Sequence, residues 1–355
     1  MSKYTDQALS GWMQAQAPDA DIVLSSRVRI ARNLADKPFP MLATNRQSEE
    51  VLEDVSKALR NAKLSSINRF ELLELKNSNE LEKRVLVEKH LISPALAGEA
   101  RNGAVLISDN ESISVMVNEE DHLRIQVLYP GFQLMEAWKL ADRIDDAFES
   151  SLNYAYDEKF GYLTSCPTNV GTGIRASVMM HLPALVITQQ ISRILQAITQ
   201  VGLAVRGLYG EGSEVTGNLF QISNQITLGQ TEEEIVENLH SVARQIIEHE
   251  KTARQKLLSE SRVKLADRIK RSYGILCYAE VMDSKEAAQR LSDVRLGVDL
   301  GMIRDVPMRV MNELLVMMQP GFLQMHFNRT MSPEERDVFR ARLIREWLEG
   351  KHSVG

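Results

Sequence analysis

The chain has little with which to be stapled, anchored or clipped to a metal. Its two cysteines, Cys166 and Cys277, stand far apart, so no disulfide framework and no zinc-type Cys/His spacing is available, and reduced thiols are expected. No stretch approaches the roughly 18 apolar residues of a membrane helix, and Met1-Ser2-Lys3-Tyr4-Thr5-Asp6 has no apolar signal core. A cytoplasmic protein without a membrane partner is the expectation. Also missing are a glycine-rich loop ending in Lys-Ser/Thr and the HRD and DFG motifs, which excludes two common ways of cradling a nucleotide. Charge of one sign is scarce as well. Residues 1–255 hold 25 Lys+Arg against 34 Asp+Glu (net −9) and residues 256–355 hold 17 against 14 (net +3), giving −6 in total. The basic excess in the tail is too small to argue for nucleic acid.

What remains is an ordinary globular composition, 44% hydrophobic and 25% charged over 355 residues, a length that suggests two domains. The most unusual stretch is Tyr162 to Pro183, which combines Cys166-Pro167-Thr168-Asn169, the pair Gly171 and Gly173, and Arg175-Ala176-Ser177-Val178-Met179. The glycines free the backbone for positive φ and close approach to an anion, and Arg175 stands where its fork can grip phosphate oxygens. A plain structural turn is one alternative. A dinucleotide-binding turn is another, but that fingerprint needs a long following helix, which Pro183 interrupts.

Residues 1–20 read as a polar arm around Trp12. From Asp21 a strand begins, and its period of two sends Arg27 and Arg29 to one side. Two guanidinium groups on one face repel unless an anion lies between them, although a solvated edge strand would also carry them. Residues 46–62 form an amphipathic helix on Val51, Leu52, Val55, Ala58 and Leu59, and helical signals run on from 66 to 88. His90 has no metal-type neighbour at ligand spacing.

Runs at Ala104–Ile107, Ser114–Val117 and Leu123–Leu128, separated by polar turns, make an antiparallel meander. Its second turn, Asn118-Glu119-Glu120-Asp121-His122-Leu123-Arg124, puts three carboxylates beside a sheet edge, where a solvated tip is the bland explanation. A helix follows over 132–151, another over 185–198, and a strand ends in Arg206-Gly207-Leu208-Tyr209-Gly210-Glu211, which by itself also suits a flexible connector. After a strand at Asn218–Ser223, Thr231 caps a long helix. Beyond about residue 255 the pattern is all helical, with stripes in 284–296 and 307–318, a break at Pro320-Gly321 and a last helix capped by Ser332.

Cys166-Pro167-Thr168-Asn169 through Arg175-Ala176-Ser177-Val178 resembles the signature of the phosphagen (guanidino) kinases, and the likeness spans about residues 21–255. The rest looks most like the bacterial protein-arginine kinase branch of that family. The resemblance implies an α+β catalytic domain over 21–255, a mainly antiparallel sheet flanked by helices, with an all-α regulatory or oligomerisation domain over 256–355. It implies ATP and Mg2+ as cofactors, with Ser26-Arg27-Val28-Arg29-Ile30, Arg124, Arg175 to Met179 and Arg206 to Gly210 along the nucleotide and His90 at its adenine or ribose. Glu119 would help to organise the Mg-bound nucleotide, Glu120 and Glu211 would hold the guanidinium, and Cys166 would sit near it, as catalytic, redox-sensing or inert thiol. No residue set is expected to hold a metal by itself.

A guanidinium has a pKa above about 12 and no lone pair to offer. Two carboxylates, one of them a general base, supply both proton removal and direction, while an arginine cage neutralises the transferring phosphoryl. The likeness also implies that the N-terminal helical domain of small-molecule members is missing, which leaves the acceptor side open to an arginine on a polypeptide. Met179 departs from the histidine those members carry. Arg336-Asp337-Val338-Phe339-Arg340-Ala341 places two arginines on one helix face. A solvated face is the plain reading, and the resemblance makes Arg336, Asp337, Arg340 and Ala341 a phosphoarginine-binding motif. Protein substrates with accessible arginine, a homodimer, an activator protein, a heat-shock repressor and a Clp chaperone are implied as partners. A small-molecule arginine kinase and a non-catalytic phosphoarginine adaptor are the rival readings; retention of Glu120 and Glu211 favours catalysis over the adaptor.

Overall fold

Strand periodicity sorts one sheet into two unlike faces. The computed structural model describes residues 10–14, 16–60, 62–98, 100–207 and 216–350. Its strands are β1 (Val23–Arg32), β2 (Phe70–Glu74), β3 (Ala104–Ser108), β4 (Ile113–Val117), β5 (Leu123–Pro130), the short pair β6 (Tyr156–Asp157) and β7 (Gly161–Tyr162), then β8 (Ile174–His181), β9 (Leu203–Arg206) and β10 (Leu219–Asn224). Eight of these form an antiparallel sheet in the order β2-β3-β4-β5-β1-β8-β10-β9. Val28 and Ile30 of β1, Ile125 and Val127 of β5, and Ala176 and Val178 of β8 point to one face, where all are buried. The α-helices up to residue 260 are, in chain order, α1 (Asn45–Ala58), α2 (Ala62–Ile67), α3 (Glu80–Glu88), α4 (Pro94–Ala97), α5 (Leu134–Glu149), α6 (Pro183–Ile187), α7 (Ile191–Gln200) and α8 (Glu232–Glu260), and all but α3 and α4 cover this face. Of these, α5 supplies Ala137, Ile144 and Phe148 and α8 supplies Val236, Leu239 and Ile247.

The opposite face is apolar only towards one edge, where Val105, Ile107 and Met116 pack under Leu86, Leu91 and Leu96 of the α3–α4 segment. Its middle is polar. The C-terminal helices α9 (Arg262–Tyr278), α10 (Ser284–Asp299), α11 (Met308–Met317), α12 (Pro320–His326) and α13 (Pro333–Leu348) have a methionine-rich core of their own, built on Leu291, Met311, Leu314, Met317 and Ile344. They reach the sheet through Leu128 and through Leu315, which lies on Leu24, Met179 and Leu219. No helix among the described residues is long and apolar enough to cross a membrane.

Three local expectations are corrected. Residues 70–74, Phe-Glu-Leu-Leu-Glu, lie in the predicted 66–88 helical run but pair with β3, because edge pairing outweighs their helix propensity. The helix expected over 185–198 is two, interrupted at Gln189, whose φ is +60°. Pro320-Gly321 is not only a break. Pro320 starts α12 at its first turn, and the buried Glu88 carboxylate accepts from the amides of Gly321 and Phe322 at 2.7 and 2.9 Å.

Candidate active site

The polar face gathers its arginines by register. Arg29 of β1 faces Arg175 of β8 on one side and Gln126 of β5 on the other, while Arg27 faces Ser177. Arg124 lies opposite Ala31, and Arg206 at the end of β9 opposite Gln221. Arg29, Glu120, Arg124, Cys166, Arg175 and Arg206 line one cleft of about 320 Å3.

The cluster is electrostatically unfavourable as it stands. Burial, then the charges of Arg124 and Arg175, lower the Arg27 pKa to about 10. Burial followed by Arg27, Arg124 and Arg175 pushes Arg29 well below its ordinary value, with Glu119 only partly opposing. Arg29 Nε is buried without a hydrogen-bond partner. Guanidinium groups crowded in this way call for a polyanion with several acceptor oxygens, which a nucleotide triphosphate is.

The three acids of the β4–β5 turn have different surroundings. Asp121 is fully buried and accepts from Asn33 Nδ2 at 2.6 Å and from the Ser165 amide at 2.7 Å. It fastens the turn to the end of β1 and to the Cys166 loop. Glu119 is almost as buried, takes the hydroxyl proton of Ser93 and pairs with Arg124 at 2.7 Å. Glu120 has a side chain 40% exposed and reaches Arg124 Nη2 at 2.6 Å. Of the three carboxylates it alone opens to the cleft. His122 accepts from the Leu34 amide at 3.0 Å and lies 3.0 Å from the Pro38 carbonyl, and burial brings its pKa down to about 4.

Behind β8 both glycines of the pair take the positive φ that their spacing suggested, and each stands close against neighbouring backbone. Gly173 has φ +67°, and a Cβ there would meet the Ala31 carbonyl at 2.6 Å and the Arg32 guanidinium at 2.7 Å. Arg32 is the residue that sequence reasoning passed over. The same alternation that sends Arg27 and Arg29 into the cleft turns Arg32 towards the core. There it donates to the Thr172 carbonyl at 2.8 Å, pairs with Asp145 at 2.5 Å and stacks 3.5 Å from the Tyr162 ring. Asn169, quoted in the motif without a role, accepts from Arg175 Nη2 at 3.2 Å and so aims it. Cys166 Sγ lies 3.0 Å from Thr168 Oγ1 at the cleft wall.

Not every expected residue faces the cleft. Ser26, Val28 and Ile30 project to the core face; the Ser26 hydroxyl donates to the Gly131 carbonyl at 2.8 Å and accepts from the Gln133 amide at 3.0 Å. Ala176 and Val178 are likewise buried on that side, whereas Ser177 and Met179 share the cleft side. His90, in a left-handed conformation with φ +58°, closes a narrow crevice with Arg27, Ser177, Met179 and Gln221. Burial, then Arg27 and Arg29, lowers its pKa to about 3, so the ring is neutral. Leu208, Tyr209, Gly210 and Glu211 lie outside the described residues, and Gly207 is buried at the end of β9.

The second motif stands apart, on α13. Arg340 is buried, donating to the Met318 and Met282 carbonyls at 3.1 and 2.9 Å and pairing with Asp337 at 2.5 Å. Arg336 donates to the Met331 carbonyl at 3.3 Å, and Ala341 belongs to the helical core.

Comparison with known proteins finds relatives over nearly the whole chain. Residues 50–253 match the family model of the ATP:guanido phosphotransferase C-terminal catalytic domain, and residues 262–354 match that of the protein-arginine kinase McsB C-terminal domain. A protein-arginine kinase of Brevibacillus brevis is 64% identical over 339 residues, covering 96% of this chain and 95% of the relative. The protein-arginine kinase of Bacillus subtilis is 53% identical over 348 residues, covering 98% and 96%. A crystal structure of lombricine kinase superposes with a TM-score of 0.58 over 70% of each chain at 23% identity, which bears on the fold alone.

Proposed function

The chain belongs to the ATP:guanido phosphotransferase family, in its protein-arginine kinase branch, and on that premise we propose that it moves the γ-phosphoryl of ATP onto arginine side chains of proteins by the following division of labour. Arg27, Arg29, Arg124, Arg175 and Arg206 hold the phosphate chain, and Arg29 and Arg175, face to face, take the charge that spreads over the transferring group. Ser177, Met179 and the neutral His90 border the nucleoside end, while Ser26, Val28, Ile30, Ala176 and Val178 hold the strands in register. Glu120 receives the substrate guanidinium at the cleft mouth, paired with Glu211, and one of the two takes the proton. Cys166 sits beside that acceptor position.

Bound magnesium supplies charge neutralisation at the phosphates. The nucleotide itself would hold most of the ion, and Glu119, buried against Arg124, would help to organise the Mg-bound nucleotide. The observation that carries the reading is the repulsive arginine cluster with Glu120, alone of the carboxylates among the described residues, facing the cleft at its edge. Residues 21–255 then act as the catalytic unit and 256–355 as a regulatory and dimer-forming one. Arg336, Asp337 and Arg340 read phosphoarginine once Arg340 is released from its carbonyl contacts. In a cytoplasmic setting the products mark proteins for Clp degradation and silence a heat-shock repressor, with an activator protein stimulating the kinase.

Incubating the purified protein with Mg-ATP and an unfolded polypeptide tests the reaction. Acid-labile phosphate on arginine, located by mass spectrometry under neutral conditions, is expected. Labelling of free arginine without labelling of the polypeptide would overturn it.

A further inference from the structure

A second cavity, about 120 Å3 in volume, lies between the ends of β8 and β10 and the helices α10 and α11. One part of its wall is apolar, from Leu219, Leu291, Met311 and Leu315. The remainder is polar and of one sign. Arg295 and Lys285 line it, and no carboxylate does so among the described residues. Arg336, Asp337 and Arg340 are not part of it.

Two buried nitrogens in this wall, Arg295 Nε and His181 Nδ1, have no hydrogen-bond partner. Asn218 Nδ2 gives its proton to Ser292 Oγ at 2.7 Å, and His181 Nε2 lies 2.8 Å from the same oxygen. Ser292 Oγ either accepts from Nε2 as well or donates its proton to it, and in the second arrangement the ring proton stands on Nδ1. Burial, then Arg295 and Arg254, hold His181 well below its usual pKa, so the ring is neutral. His181 Nδ1 has no partner, and His181 is 1% exposed. Arg295 is 4% exposed; its Nη1 donates to Asn312 at 2.7 Å and its Nη2 to the Ala20 carbonyl at 3.0 Å, and its Nε is left over. Asp299 and Asp21 offset part of the Arg295 charge and Arg254 adds to it.

A guest that only accepts hydrogen bonds satisfies Arg295 Nε and draws the neutral ring's proton to His181 Nδ1, with Ser292 Oγ then donating to Nε2, and a negative guest is favoured by both cations. At about 10–15 Å3 of such space per water molecule, a volume of about 120 Å3 has room for one tetrahedral ion. We propose that this cavity is a site for a free inorganic oxyanion of the size of orthophosphate, held by Arg295, His181 and Lys285. An ion there fastens β8, the strand carrying Arg175, to α10, and makes the junction between sheet and C-terminal helices responsive to phosphate.

Crystals of the full chain grown without phosphate or sulfate and soaked in selenate provide the first test. An anomalous peak beside Arg295 and His181 is expected. Water alone at that position, while selenate occupies the Arg29–Arg175 cleft in the same crystal, would overturn the proposal. In solution, the active cleft is first saturated with a non-hydrolysable ATP analogue and the melting temperature is then followed against inorganic phosphate, with chloride at matched ionic strength as reference. A further rise of about 2 °C at tenfold excess over the dissociation constant is expected, and it is lost in Arg295→Gln and reduced in Lys285→Gln. Should Arg295→Gln fail to fold, Lys285→Gln at the exposed rim decides. An equal response in wild type and variant, or a response to free phosphoarginine but none to orthophosphate, sinks the idea. Failure of these tests leaves arginine labelling untouched, so the site and the kinase reading fall separately.

Discussion

Arg29 and Arg175 are direct cross-strand neighbours, like charges in register on the same face of an antiparallel pair. Such pairs are destabilising in a sheet, and here Arg27 and Arg124 add to the repulsion. A fold tolerates that only where the site needs the charge more than the fold needs the stability.

Replacing one of the two separates these demands. Arg29→Gln or Arg175→Gln is expected to raise the stability of the ligand-free protein by about 0.5–1 kcal/mol, the cross-strand term removed, while phosphoryl transfer falls by roughly 10²–10³-fold. Urea melts with and without Mg-ATP check it. The variants should also lose most of the nucleotide-induced stabilisation, which for wild type is about 2.7 kcal/mol at a hundredfold excess over the dissociation constant.

Glu120 and Asp121 are adjacent, yet their variants should diverge. Glu120 is open to the cleft, whereas Asp121 Oδ1 holds Asn33 and Ser165 in the interior. Glu120→Gln should melt like wild type and lose about 10²–10⁴-fold in kcat with little change in KM for ATP. Asp121→Asn keeps an oxygen for both donors and should retain most activity. Asp121→Ala leaves buried donors unmet and should cost about 2–4 kcal/mol. Adding Glu211→Gln to Glu120→Gln should abolish transfer; wild-type speed in that double variant would refute the two-carboxylate clamp.

Much of this site was readable from residue spacing because a strand's period of two sorts side chains without help from the rest of the fold. Arg27 with Arg29, and Arg175 with Ser177, follow from alternation alone. The same rule, applied one step further, would have turned Arg32 inward and Ser26 away from the phosphates. What spacing does not carry is long-range satisfaction. Nothing near Asp121 in the chain says that Asn33 and Ser165 will claim it, and nothing near Pro320 says that Glu88 will cap the helix it begins. Residues 70–74 were misleading for a related reason: leucine and glutamate favour a helix, and only the partner strand β3 makes them an edge.

His122 gives the protein a defined sensitivity to acid. Its folded pKa, about 4, lies below the ordinary 6.5 because burial disfavours the charge. Between those values the unfolded chain binds a proton that the folded one does not, so this contribution to stability is complete above pH 6.5 and is lost as pH falls towards 4. From pH 7 to pH 5 the loss from this group is about 2 kcal/mol. Protonated Nδ1 would face the Leu34 N–H that it now accepts from at 3.0 Å. Urea melts of wild type and His122→Gln at the two pH values should show a smaller pH dependence in the variant; an identical dependence would exclude His122 as its source.

Gly173 tests whether the turn behind β8 aims Arg175. Its φ of +67° strains any L side chain, and an added Cβ would press on the Ala31 carbonyl and the Arg32 guanidinium. Neither can give way easily, since Ala31 is followed by Arg32 in β1 and Arg32 is locked to Asp145 and Thr172. Gly173→Ala should therefore cost about 2–4 kcal/mol and move Arg175, two residues on, relative to Arg29. The expected kinetic signature is a raised KM for ATP together with a reduced kcat in the fraction that remains folded, measured after active-site titration. If the folded variant instead bound and turned over ATP like wild type, the glycine would serve the backbone alone, and the aiming of Arg175 would rest on Asn169.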